Sequence, residues 1–256
     1  MHTEKPLILV VNDDGITAPG IKALLAVAKK YGEAVVVAPD KPQSGMGHAI
    51  TINSTLHVTK TEVDENLAYA CSGTPVDCVK IAVNKLLPKK PDLVVSGINH
   101  GSNSSINVIY SGTMSAAVEG SLEGIPSIGF SLLDHSIDAN FEAAQFFADK
   151  IIAATLKHNT NKNLCLNVNF PNLKQELING VKVCRQAKGN WQEDYDERQD
   201  PFGRTYYWLT GKFVSDDDSN DTDEWALQNG FVSIVPVQSD VTNHKILNTL
   251  NYFENV

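Results

Sequence analysis

Cysteine is scarce and unpatterned. Cys71, Cys78, Cys165 and Cys184 form no CxxC pair and no zinc-type spacing. A disulfide or zinc scaffold is not needed either, because a chain of 256 residues buries an ample core without one. Their apolar neighbours mark these thiols as buried and free, as in a reducing compartment. Positive charge is also in deficit: 21 basic against 30 acidic residues leaves a net charge of −9. That balance excludes a broad face for a nucleic-acid polymer, though not the binding of one nucleotide beside a metal ion. No apolar run approaches the ~20 residues that span a bilayer. The start, MHTEKPLILVVNDDG, lacks a signal-peptide pattern, so the expected location is the cytoplasm. No GxGxxG is present, which removes the dinucleotide fingerprint. Repeats and low-complexity segments are missing as well.

What is there begins with Leu7–Gly15, LILVVNDDG. Five consecutive apolar residues, three of them β-branched, predict a strand buried on both faces. A helical stripe follows at Ile21, Leu24, Leu25, Val27 and Ala28, with Pro19 at its start. AVVVA at 34–38 is a second buried strand, so the opening is a βαβ unit and implies a parallel sheet. Residues 49–72 read as strand-rich, including Ile50–Ile52, and Pro75–Leu87 as helical. Further strands are expected at 91–96, 127–132, 164–170 and 231–237, with a long helix over 138–156. The fold class is therefore α/β, a mostly parallel sheet flanked by helices. Residues 1–171 carry this core. Residues 172–256 form a C-terminal extension, with a projecting aromatic and charged arm and a last core strand, in one domain overall. Asp216–Asp218 with Asp221, Asp223 and Glu224 lacks the EF-hand spacing and reads as a solvated loop.

Polar loops follow the strands, and in open α/β sheets ligands sit beyond the strands' carboxyl ends. Asn12, Asp13, Asp14 and Gly15 offer two carboxylates and an amide at a turn. Taken alone this is ordinary turn chemistry; it is also a set of hard oxygen donors for Mg²⁺ or Mn²⁺. PDKPQSGMGH at 39–48 adds the Ser44 hydroxyl and the His48 imidazole. GINHGSN at 97–103 adds Asn99 and Asn103, whose carbonyls suit a hard cation and whose NH₂ groups can donate to phosphate. Ser111, Gly112 and Thr113 open a helix, a natural phosphate cradle.

Together, NDDG, PDKPQSGMGH, SGINHGSN and YSGTM, with GTPVDCV, GIPSIGFS, NVNFP, YYWL and TDEWALQNGFVSIVPV, resemble the SurE family of stationary-phase survival proteins. These motifs span nearly the whole chain; residues 172–205 match least. The resemblance implies a Rossmann-like core and a metal-dependent phosphomonoesterase acting on nucleoside 5′-monophosphates. 3′-Monophosphates and short polyphosphate are further candidate substrates. It maps one divalent ion, Mg²⁺ or Mn²⁺, onto Asp13, Asp14, Ser44 and Asn99; a carboxylate so placed, Asp13 or Asp14, is also the candidate general base. Asn12, Gly15, Asn103, Ser111, Gly112 and Thr113 take phosphate-binding or site-shaping roles, and His48 matches too. It also implies a homodimer or homotetramer that exchanges arms. A haloacid-type phosphatase needs two carboxylates separated by one residue, whereas Asp13 and Asp14 are adjacent. A nucleotide-binding module without turnover remains the alternative from another class.

Overall fold

The computed structural model describes residues 5–158 and 163–256. A nine-stranded sheet forms the centre of the described residues. Its first strand, β1 (Leu7–Val11), is buried at all five positions. Alternate side chains serve opposite faces: Ile8 and Val10 join one core cluster, Leu7, Leu9 and Val11 the other. Five strands share its direction: β2 (Glu33–Pro39), β4 (Asn66–Cys71), β5 (Leu93–His100), β6 (Ser127–Leu132) and β7 (Cys165–Phe170). At one edge β3 (Val58–Val63) pairs antiparallel with β4. At the other, β11 (Val232–Pro236) runs antiparallel to β7 and parallel to the short β8 (Val181–Val183). The sheet order is β3-β4-β2-β1-β5-β6-β7-β11-β8.

Helices cover both faces. The α1 (Pro19–Ala28) and α5 (Glu142–His158) helices pack through Ile21, Leu24, Leu25, Phe147 and Ile151. The α2 (Pro75–Ile81) and α4 (Gly112–Leu122) helices cover the other face through Cys78, Val79 and Ala116. A four-residue helix, α3 (Asn107–Tyr110), leads into α4. The chain leaves β1 toward β2 on one side and β5 on the other, so strand order reverses there and opens the crevice where α/β ligands bind.

The arm is a two-stranded hairpin of β9 (Gly189–Gln199) and β10 (Thr205–Ser215), in register over eleven pairs and separate from the main sheet. The last helix, α6 (Asp223–Gln228), precedes β11.

Three expectations need correction. Ile50–Ile52 is not a strand: the Thr51 N–H and hydroxyl both donate to the Asp77 carboxylate, at 3.1 and 2.6 Å, so a side chain engages the backbone that a ladder would use. The long helix begins at Glu142 rather than 138, where Asn140 Oδ1 accepts the Glu142 N–H. The acidic stretch is not uniformly solvated. Asp223 is fully buried, and Asp217 forms a two-pronged pair with Arg185.

Candidate active site

The NDDG turn ends β1. Gly15 has φ +94°, a left-handed conformation that favours glycine, and Asn12 Nδ2 closes the turn on the Gly15 carbonyl at 2.9 Å. The 39–48 loop is seated on it: the Ile16 N–H donates to Pro39 O and the Gln43 N–H to Asp13 O. Ser44, next to Gln43, is exposed.

Asp13 is buried and accepts the Thr113 hydroxyl; Asp14 is half-buried and accepts the His100 N–H at 3.4 Å. Burial first, then the Asp14 charge, pushes Asp13 up to about 6, against the opposing bonds from Thr113. Burial also raises Asp14, offset in part by His100. Two adjacent carboxylates are thus held against their preference for water.

On the opposite wall, α4 starts at this pair. Ser111 Oγ caps the helix by accepting the Met114 N–H at 3.0 Å. Helix geometry leaves the preceding N–H groups without intrahelical partners and the positive dipole end directed outward. Asn99 comes from β5, whose register against β6 shifts between Ser96 and Asn99. Its NH₂ donates to Gly101 O at 3.0 Å, which leaves the carbonyl end for another ligand.

The crevice therefore brings together Asn12, Asp13, Asp14, Gly15, Gly112 and Thr113, with Ser44 and Asn99 arriving on tethered neighbours. Two other expected residues are engaged elsewhere. His48 meets the buried Glu119 carboxylate at 2.9 Å, and Lys80 holds its other oxygen at 2.6 Å. Asn103 lies in a buried amide network: its N–H donates to Asn169 Oδ1, its NH₂ to Ser131 Oγ, and its carbonyl accepts from Asn167 Nδ2. Sequence reasoning passed over Glu119, Asn167 and Asn169. The two asparagines left a signal, since polar residues in the apolar run LCLNVNF need partners when buried.

Among the described residues no group of three or more His, Cys, Asp or Glu is arranged to hold a metal ion. The donor set here is of another kind, two carboxylates with neutral hydroxyl and amide oxygens, which suits Mg²⁺ or Mn²⁺. The buried Asn12 Oδ1 has no hydrogen-bond partner in the structure, so an acceptor beside the carboxylates is still unsatisfied. The residues fit a hard divalent cation.

The family model for Survival protein SurE matches residues 8–193. Among curated relatives, "5'-nucleotidase SurE" of Flavobacterium johnsoniae is 62% identical over 253 residues, covering 98% of each chain. The Bacteroides fragilis protein of that name is 47% identical over 256 residues, covering 99% of this chain and 100% of its own. The crystal structure of the SurE protein from Aquifex aeolicus superposes with a TM-score of 0.84 at 40% identity, covering 97% of this chain and 100% of that one.

Proposed function

Because the chain belongs to the SurE family, we propose that it hydrolyses nucleoside 5′-monophosphates to nucleoside and phosphate at the β1–α4 crevice. One observation carries the reading: a carboxylate pair, Asp13 buried and Asp14 half-buried, both raised by burial and Asp13 also by the Asp14 charge, faces the N-terminus of a helix. Negative side chains and a positive helix end then stand on two sides of one cleft. Asp13, Asp14, Ser44 and Asn99 are the residues that would hold one Mg²⁺ or Mn²⁺. Such an ion, when bound, polarises the phosphate and acidifies water.

The remaining work falls to the chain. The N–H groups at the start of α4 and the Ser111 hydroxyl hold non-bridging phosphate oxygens as charge builds on them. Thr113 orients Asp13 through its hydroxyl. Asp14, the more accessible carboxylate, takes the proton of the attacking water. Asn12 and Gly15 keep the turn closed so that both carboxylates face the cleft.

We assign the arm to contact between copies of the chain, in a dimer or tetramer. Tyr195, Tyr207 and Trp208 are exposed on a hairpin that no other strand covers among the described residues. A cytoplasmic location agrees with four free, buried cysteines, and no described helix is long and apolar enough to cross a membrane.

The deciding experiment is phosphate release from a panel of nucleoside 5′- and 3′-monophosphates and short polyphosphate, with Mn²⁺, with Mg²⁺ and with chelator. Metal-dependent release from 5′-monophosphates is expected. Binding without release under either ion would replace this reading with that of a non-catalytic nucleotide module.

A further inference from the structure

We propose that the cavity between α3 and the root of the arm receives the nucleoside of the substrate; this assignment rests on the phosphohydrolase reading above. The cavity has a volume of about 450 Å³ and is lined by Tyr110, Trp191, Glu193, Leu209, Thr210 and Gly211. That volume is in the range of small-molecule sites, and the lining has their character, mostly apolar and aromatic with few polar groups.

Its position fixes what enters it. Tyr110 is the residue immediately before Ser111, the cap of α4, so a wall of the cavity starts one Cα step, about 3.8 Å, from the proposed phosphate cradle. Tyr110 is also tied to the metal side of the site, because its carbonyl accepts the Gly47 N–H of the loop that carries Ser44. A phosphate on the α4 N-terminus is therefore held one residue along the chain from the Tyr110 wall of the cavity.

The Trp191 wall is held in place by its own contacts. The Trp191 indole N–H donates to Asn107 Oδ1 at 2.7 Å, and its ring meets Phe213 edge-on, with centroids 6.0 Å apart. Trp191 still leaves 40% of its surface exposed and Tyr110 51%, so both have ring surface available for a planar base. Charge sets the orientation. The carboxylate in the lining is Glu193, which repels phosphate and accepts hydrogen bonds from ribose hydroxyls or base N–H groups.

The test compares kcat/KM for adenosine 5′-monophosphate with that for ribose 5-phosphate, which keeps the sugar phosphate and lacks the base. The full-length parent favours the nucleotide. Trp191→Leu and Tyr110→Leu, at two separately exposed positions, each lower that preference at least tenfold, and Tyr110→Phe retains it. Calorimetric titration with adenosine needs no turnover; it shows binding to the parent and at least tenfold weaker binding to either Leu variant. An unchanged preference in both Leu variants, or adenosine that fails to bind or ignores both substitutions, overturns the assignment. Absence of phosphate release from both substrates overturns the phosphohydrolase reading, and the adenosine titration then decides the cavity by itself.

Discussion

Gly112 and Asp13 compete for one space: a β-carbon on Gly112 would lie 2.7 Å from Asp13 Cβ and 2.9 Å from its Oδ2. The first residue of α4 is side-chain-free because a carboxylate from the β1 turn fills that position. Gly112→Ala is expected to push Asp13 away from Thr113 and to destabilise by about 1–3 kcal/mol, the range for overpacking. Phosphate release should fall on the order of 100-fold, as for an ångström-scale misplacement. Urea denaturation and initial rates check both, and a variant matching the parent in each would show that the contact relaxes freely.

Asp14→Asn should separate chemistry from folding. Turnover is expected to fall at least about 1,000-fold, because a proton acceptor and a cation ligand are lost together. In chelator the variant should melt no lower than the parent, since one of two neighbouring carboxylates raised by burial is removed. A drop in melting temperature together with full metal-dependent turnover would reverse the assignment.

The raised carboxylate predicts a pH signature. Asp13 moves from 3.8 to about 6 on folding, so its stabilising contribution is complete below the unfolded value and is lost as pH rises through about 6. From this group the metal-free protein should lose roughly 2–3 kcal/mol between about pH 4 and pH 7, with Asp14 acting in the same direction. The readout is the difference between parent and Asp13→Asn in chelator: the parent loses stability relative to the variant across that window. Excess Mn²⁺ should restore much of the loss at neutral pH by binding the charged form. A difference that stays flat with pH would place the Asp13 charge in a better-solvated setting.

Asp223 couples the arm to the site loops. Fully buried, it accepts the Ser105 N–H and the Ala187 N–H, both at 2.8 Å. Asp223→Ala leaves two buried donors without this partner, and a loss of about 2–4 kcal/mol is expected. Limited proteolysis should reach residues 185–189 faster in the variant. Unchanged stability and cleavage would show that other groups replace the carboxylate.

Legibility in the sequence followed the range of the forces involved. Five apolar residues in β1 are buried on both faces, so their run announced a central parallel strand, and the polar loop after it fell at the sheet's switch point. The Ser111 cap of α4 was readable for the same local reason. Asp223 and Thr51 were misread because their partners lie 118 and 26 residues away, and a bond from side chain to distant backbone leaves no periodic mark. His48 looked like any polar loop residue. Its pairing with Glu119 depends on where α4 packs, which a linear pattern does not record.

The antiparallel insertion of β11 has a consequence for synthesis on the ribosome. All strands that carry the catalytic loops end by Phe170, yet the outer edge of β7 is closed only by Ser233–Pro236. At ordinary elongation rates that edge waits roughly 3–13 s for its partner. Through that interval a nascent chain with its cleft already assembled presents an open strand, the kind of edge that recruits a wrong neighbour. Slower translation across residues 171–236 is therefore expected to lower the yield of folded protein without changing the stability of the finished chain.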